Sequence, residues 1–340
     1  MKKNIPVDQA VGMVLPHDIT EIRRGEFKGR AFRKGHIIRS EDIEYLKRLG
    51  KEHIYVLTLT AAEIHENEAA ALLAHAIAGS GITAGSEPVE GKISLIAACD
   101  GLLKIDVEAL YKLNLLGEVM CATLHTNQIV RKGEQVAATR LIPLITDRAV
   151  IEQAVNETPT AGIVSIREIK KVKAGLVITG NEVFDGRIKD AFEPVLREKM
   201  TEIGSQVAMV RFAPDDAEII AREIKTCLAA GAGLIITSGG MSVDPDDVTR
   251  LGIKAAGATD IVYGTPVLPG AMFLTGRFGD VPVLGIPACG MFHKITILDL
   301  ILPRVLSGET ISRQDFAAMG HGGLCRNCKI CRYPICGFGK

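Results

Sequence analysis

From residue 172 onward, short unbroken apolar runs bounded by glycine alternate with stretches whose apolar residues recur every three or four positions. Strands covered on both faces of a parallel sheet lose the two-residue alternation, while the helices connecting them keep a one-sided apolar stripe. Ala174-Gly175-Leu176-Val177-Ile178-Thr179 reads as such a strand and ends in the turn Gly180-Asn181. Ile188, Ala191, Phe192, Val195, Leu196, Met200 and Ile203 then fall at helical spacing, and Gly204 stops the helix. A strand over 206–212 follows, then a second amphipathic helix marked by Ile220, Ile224, Cys227 and Leu228, with Asp215-Asp216 at its positive end. A third strand over 233–237 runs straight into Ser238-Gly239-Gly240. Apolar runs at 272–275 and 281–286 lead to a last helix from about Gly290 to Leu306. This pattern predicts a three-layer α/β domain on a parallel sheet over residues 170–308.

The front of the chain reads differently. Residues 1–60 contain short β-like runs punctuated by Gly25, Gly29 and Gly35, with a helix over 40–49 that Ser40 caps and Gly50 closes. Together they predict a small β-rich N-terminal domain. Residues 61–78 form an Ala-rich helical stretch, Gly79-Ser80-Gly81 breaks it, and the mixture up to 165 predicts an α+β middle domain. Lys132-Gly133-Glu134 between apolar runs is a tight turn between strands. Arg131-Lys132-Gly133 echoes Arg33-Lys34-Gly35, an echo too short in itself to define a repeat. Residues 309–340 form a short Cys-rich tail.

Composition narrows the functional classes. An apolar fraction of 47% against 24% charged residues is that of a globular chain with a sizeable core. Forty basic residues balance forty acidic ones, so no overall field favours nucleic acid or an anionic membrane, and a small ligand or a protein partner fits better. The first residues lack the apolar stretch of about 7–15 residues that export requires. The apolar run 295–306 is interrupted by Asp299, Pro303 and Arg304 and falls short of the roughly 20 residues of a membrane span. A cytoplasmic protein is expected, with Cys99, Cys121, Cys227 and Cys289 as reduced thiols.

In an open parallel sheet, ligands bind at the carboxyl ends of the strands, where loops bring backbone amides and helix N-termini together. Three such loops stand out: Thr179-Gly180-Asn181-Glu182-Val183, Pro214-Asp215-Asp216, and Thr237-Ser238-Gly239-Gly240-Met241-Ser242-Val243-Asp244-Pro245-Asp246-Asp247. Gly239 and Gly240 let the backbone approach an anion, and Thr237, Ser238 and Ser242 offer hydroxyl donors. Carboxylates beside a phosphate require a cation between them, so Asp244, Asp246 or Asp247 implies a divalent metal such as Mg2+.

These loops, together with Pro269-Gly270, resemble the molybdopterin-binding domain of the molybdopterin molybdenumtransferase family in order and spacing from Thr179 to Gly270. The resemblance implies binding of molybdopterin or its adenylated form, a divalent cation, and insertion of molybdate. It implies catalytic or metal work for Glu182, Asp215 and Asp247, while Asp244 is a further metal ligand on the charge argument alone. It implies pterin-phosphate binding by Thr179, Gly180, Asn181, Thr237, Ser238, Gly239, Gly240, Ser242, Pro269 and Gly270. Self-association into a homo-oligomer and service to a molybdoenzyme follow from the same resemblance. The sequence also departs from the family. Leu268-Pro269-Gly270-Ala271 lacks the flanking lysines, Pro287-Ala288-Cys289-Gly290 replaces a Pro-Gly-Asn-Pro turn, and Asp244 stands where glycine is usual. Arg30, Arg33 and Lys34 are candidate replacements for the missing cations. His293 is assigned to the surface of the last helix.

The tail sequence Cys325-x2-Cys328-x2-Cys331-x4-Cys336 places four thiols within twelve residues, a spacing suited to zinc or a [4Fe–4S] cluster. The sequence thus supports an enzyme of molybdenum-cofactor biosynthesis, with a non-catalytic cofactor carrier or redox sensor as the alternative. A nucleotide-type pyrophosphatase on a related domain is a third reading.

Overall fold

The computed structural model describes residues 2–57, 59–89, 91–242 and 248–340. The chain divides into two compact units, one of residues 1–124 and 130–166, the other of residues 125–129 and 167–340.

In the first unit, residues up to 57 close on a small core of Val7, Leu15, Ile38 and Leu46, each at most 1% exposed. Lys2–Pro6 pairs antiparallel with His53–Leu57, and Ile19–Arg23 with Phe27–Phe32. The helix is Asp42–Arg48, and Glu41 rather than Ser40 occupies its N-cap, without a side-chain cap bond. Asp42 instead accepts from the Arg39 amide and bonds His36, which fixes the first turn from within. The remainder of the unit packs helices Glu66–Ile77, Val107–Leu115 and Arg148–Glu157 with antiparallel strands around one core that includes Ile64, Leu73, Leu95, Leu103 and Leu141.

The Arg-Lys-Gly echo is a structural repeat. The Lys34 amide donates to Asp18 Oδ1 (2.8 Å), the Gly35 amide to the Leu15 carbonyl, and the Leu15 amide to the His36 carbonyl. Further along the chain, the Lys132 amide donates to Asp100 Oδ1 (2.8 Å), the Gly133 amide to the Ala97 carbonyl, and the Ala97 amide to the Glu134 carbonyl. In each case an aspartate three residues after the paired residue, Leu15 or Ala97, clamps the turn, and an arginine, Arg30 or Arg131, bonds its other oxygen at 3.1 Å. Beside the first clip, His65 Nδ1 accepts from the Asn67 amide and from Lys34 Nζ (2.9 Å). The neutral ring therefore carries its proton on Nε2 and donates to the Pro16 carbonyl (2.7 Å).

The second unit is built on a six-stranded sheet. Its strands are β1 (Lys173–Thr179), β2 (Gln206–Ala213), β3 (Leu234–Ser238), β4 (Thr259–Tyr263), β5 (Leu274–Phe278) and β6 (Val281–Ile286). The order is β2-β1-β3-β6-β5-β4. β2, β1, β3 and β6 are parallel, whereas β5 runs antiparallel to both neighbours. The expected parallel sheet is therefore mixed, because β5 and β6 form a hairpin across Gly279-Asp280 rather than a crossover.

Helices cover both faces. Leu176, Leu234, Ile236 and Leu284 point toward α2 (Phe192–Glu202) and α5 (Ile297–Leu306), while Val177, Ile235 and Val283 point toward α3 (Ala217–Ala229) and α4 (Thr249–Ala255). A short helix, α1 (Asn181–Phe184), precedes them. α2 begins four residues later than the apolar spacing suggests, because Asp190 accepts from the Phe192 and Glu193 amides and sets its start, leaving Ile188 outside and exposed. α5 is likewise displaced: a capping box of Thr296 and Asp299 starts it, and the residues from 288 to 291 form a separate 3-10 turn. His293 consequently lies ahead of the helix, not on it.

Residues 309–340 pack into this same unit. Helix α6 (Arg313–Ala318) carries Phe316, fully buried with its ring edge-on to Phe273 at 6.2 Å, and Phe338 is also buried. Arg304 joins this segment to α5, with its Nε 2.8 Å from Glu309 and its NH2 2.6 Å from Asp315. Burial pushes the Asp315 carboxyl up, but hydrogen bonds from Ser312 and the Arg304 guanidinium outweigh it and hold the pKa at about 2. No helix among the described residues is long and apolar enough to cross a membrane.

Removing Arg304 takes the cation from Asp315 and one of the cations from Glu309, which also pairs with Arg167 at 3.6 Å. Arg304→Ala is expected to lower stability by about 3 kcal/mol in urea denaturation at neutral pH, the usual effect of breaking a buried pair. The folded pKa of Asp315 lies below its ordinary 3.8, so its ionised form stabilises the fold above that value and the contribution disappears as pH falls toward about 2. Acid titration of the unfolding midpoint should show this loss in the parent chain, and Asp315→Asn should flatten it.

Candidate functional site

Strand register puts the sequence-predicted loops on one edge. Thr179 pairs with Ala213, Ile178 with Ser238, and Ser238 with Ile286, so β1, β2, β3 and β6 all end there. β4 also ends at this edge and the antiparallel β5 starts from it, since Tyr263 pairs with Leu274 and Leu274 with Gly285. Glu182, Asp215, Ser238, Ser242 and Pro269-Gly270 therefore sit on loops of the same sheet edge.

Two of these loops are clamped to each other. The Asn181 amide donates to Asp215 Oδ2 (3.0 Å), and Asn181 Oδ1 accepts from the Asp215 amide (3.1 Å). Asp216 has a different task, accepting from the Glu218 and Ile219 amides as the N-cap of α3. Glu182 is exposed on α1, with its carboxylate folded back over Gly180.

A second knot holds the glycine loop. Thr179 Oγ1 donates to the Ser238 carbonyl or pairs with Thr249 Oγ1, at 3.0 and 2.7 Å. Gly239 and Gly240 both have left-handed φ, +86° and +55°. A Cβ on Gly239 would stand 2.3 Å from the Thr179 carbonyl oxygen, and one on Gly240 2.3 Å from Thr249 Oγ1. Glycine is thus required twice, by conformation and by contact. Met241 is buried under Gly285 and anchors the far side, while its carbonyl accepts from the Tyr263 hydroxyl (2.6 Å).

The hydroxyls divide by role. Those of Thr179 and Thr237 are spent inside the fold, the latter on the Leu284 carbonyl (3.5 Å). Ser238 is 1% exposed, and its Oγ has no hydrogen-bond partner among the described residues. Buried hydroxyls are normally paired, so this one marks a place where a donor is kept available. Arg250 on α4, which the sequence reading missed, shows the same sign: its Nε is buried without a partner among the described residues, and its guanidinium lies 4.2 Å from the Tyr263 ring centroid. An arginine inside an amphipathic helix carries no signal of its own until its neighbours are known.

Pro269 follows a cis peptide bond with Leu268, and Gly270 is pressed against Ile297, whose amide donates to the Pro269 carbonyl (3.2 Å). In the Pro287-Ala288-Cys289-Gly290 turn, burial raises the Cys289 thiol pKa, which keeps it protonated. Asp244, Asp246 and Asp247 lie outside the described residues. Arg30 and Lys34 belong to the first unit and are engaged there, with Asp18 and His65. The four tail cysteines are not gathered: Cys325 and Cys336 are half-buried, Cys328 and Cys331 exposed, and no group of three metal-ligating side chains comes together among the described residues.

Residues 175–307 match the family model of a probable molybdopterin binding domain. Residues 4–58 match a domain of unknown function, DUF8806. The chain is 33% identical over 81 residues, 24% of its length and 19% of the relative's, to a CinA-like protein of Mycobacterium leprae (strain TN). It is 35% identical over 77 residues, 23% of its length and 18% of the relative's, to a CinA-like protein of Mycobacterium tuberculosis (strain ATCC 25177 / H37Ra). The chain thus spans about a fifth of the length of these curated relatives. Among solved structures, the protein CinA of unknown function from Thermoplasma acidophilum is 18% identical with a TM-score of 0.36, covering 40% of this chain and 98% of that one. The molybdopterin biosynthesis enzyme MoaB from Thermus thermophilus is 21% identical with a TM-score of 0.34, covering 41% and 98%. Likeness of this extent bears on no residue's role.

The contact at Gly239 separates two causes of strain. Gly239→Ala is expected to lower stability by at least about 3 kcal/mol, since left-handed backbone and a clash with the Thr179 carbonyl add. Gly186→Ala, with φ +71° and open space around it, carries only the backbone part, about 1 kcal/mol. Urea denaturation of the two variants side by side measures the difference.

Proposed function

We propose that the β1, β2 and β3 edge of the second unit binds the phosphate-bearing pterin of molybdopterin or its adenylated form. The buried Ser238 hydroxyl, without a partner among the described residues, carries this reading. A phosphate oxygen at the strand end gives that hydroxyl its acceptor, and the two glycines leave no side chain between the loop backbone and the anion. Arg250 supplies positive charge where the Pro269-Gly270 turn lacks its flanking lysines. Glu182 and Asp215 provide carboxylates for a divalent cation, with Asp247 as the further ligand implied by the resemblance and Asp244 beside it in the sequence. Such an ion neutralises phosphate beside carboxylate and polarises the phosphoryl group. The reaction this arrangement suits is insertion of molybdate into the dithiolene with release of AMP, a step of molybdenum-cofactor biosynthesis.

Ser238→Ala separates ligand binding from folding. Loss of a hydrogen bond to a charged group costs about 1.5–3 kcal/mol, so the dissociation constant for adenylated molybdopterin should rise about 10- to 150-fold by titration. Stability of the free chain should not fall, because the variant removes a buried hydroxyl that has no partner among the described residues. An unchanged dissociation constant overturns the site. Incubation with adenylated molybdopterin, molybdate and Mg2+ should release AMP. Tight binding without AMP selects the carrier reading, which the neutral residues around Pro269-Gly270 favour. AMP release that needs no molybdate selects nucleotide pyrophosphate cleavage.

A further inference from the structure

Residues 322–340 form a closed loop whose surface neither the sheet edge nor the core uses. At its base the Gly339 amide donates to the Gly322 carbonyl (3.0 Å), and Phe338 is buried. Its first arm is held by a parallel bridge, with the Leu268 amide donating to the Gly323 carbonyl and the Cys325 amide to the Leu268 carbonyl, both at 2.8 Å. Between these anchors every residue from 326 to 332 is exposed. Ile330 and Ile335 are 80% and 89% exposed, and Leu324 on the first arm is 72% exposed. Apolar side chains left in water within one segment, rather than scattered singly, mark a surface that something else covers.

The charge of this loop is one-sided. Over the whole chain forty basic residues balance forty acidic ones, but no Asp or Glu occurs from 316 to 340, where Arg326, Lys329, Arg332 and Lys340 fall. Arg326, Lys329 and Arg332 are exposed at three-residue intervals, and none of them forms an ion pair among the described residues. Free cations thus alternate with bare isoleucines. The covering partner is anionic at its surface and apolar just beneath.

We propose that the segment from 326 to 335 docks the second unit on an anionic phospholipid bilayer. Headgroup phosphates take Arg326, Lys329 and Arg332, and Ile330 and Ile335 enter the acyl boundary below them. An acidic peptide matches the charge but not the form, since peptides are held in grooves or along free sheet edges. Residues 326–332 contain no strand, and the cavities beside Tyr333 are lined by none of them. Single-stranded nucleic acid stacks its bases on exposed aromatic rings, whereas Tyr333 packs half-buried against the α5 core and Phe338 is buried. Three cations and two aliphatic side chains give a reversible, peripheral attachment. The proposal stands independently of the pterin reading.

The chain contains no tryptophan, so Ile335→Trp installs a single reporter at an exposed position. In the full-length chain its emission should shift to the blue with vesicles of equimolar phosphatidylcholine and phosphatidylglycerol, and not with phosphatidylcholine alone. Co-sedimentation of the parent chain with the mixed vesicles should weaken as salt rises from about 0.1 to 1 M, because the Debye length contracts from roughly 10 to 3 Å. Arg326→Ser, Lys329→Ser and Arg332→Ser combined should lower the partition coefficient about 100-fold, roughly fivefold for each cation. Ile330→Ser should lower it about tenfold, and Lys225→Gln, exposed on α3, should leave it unchanged. These side chains are all exposed, so the urea midpoint should stay at the parent value. Equal partition onto the two kinds of vesicle, or an unchanged coefficient in the triple variant, overturns the proposal. Emission that stays unshifted while the chain sediments puts the lipid contact elsewhere and overturns it too. A blue shift produced by polyglutamate and by neither vesicle replaces the bilayer with an acidic protein partner.

Discussion

The sheet edge depends on how closely one loop can lie against the end of β1. Thr179 is the fixed point: its hydroxyl sits between the Ser238 carbonyl and the Thr249 hydroxyl, and its carbonyl faces Gly239. With a Cβ at either glycine the loop must lift, and both the start of α4 and the confinement of Ser238 go with it. An unpaired buried hydroxyl costs about 1–3 kcal/mol. A fold keeps such a group at a strand end when the surroundings over-determine it, as the Thr179 knot and the Met241 anchor do here.

How much of this was legible in the sequence depends on what encoded it. Strands covered on both faces wrote themselves as unbroken apolar runs, so β1, β2 and β3 were readable to within a residue or two. β4 was not. Thr259, Asp260 and Ile261 are exposed on an edge strand, and a half-solvated run of five residues has no distinctive pattern. Strand direction is equally silent in composition, which is why the antiparallel β5 went unseen. Helix starts shifted wherever a side chain outside the apolar stripe decided them, as Asp190 does for α2 and Thr296 with Asp299 for α5.

At the site, residue type alone nominated Thr179, Thr237 and Ser238 together. Only burial and partners separate them, two hydroxyls closed into the fold and one left available. The pair Asp215-Asp216 divides in the same manner, into a loop clamp and a helix cap. The Arg-Lys-Gly repeat shows the opposite limit. Its shared geometry resides in backbone hydrogen bonds and one aspartate, which leave little trace in the surrounding sequence.

The tail and the Pro269 turn are mechanically one structure. Leu268 donates to Gly323 and accepts from Cys325, and the next peptide is the cis bond to Pro269, whose carbonyl in turn receives the Ile297 amide at the start of α5. Any rearrangement of the loop at Cys325 is therefore transmitted through a single residue to a turn on the same sheet edge as Ser238. Sliding this bridge breaks two backbone hydrogen bonds at once, so the loop and the turn shift together or not at all.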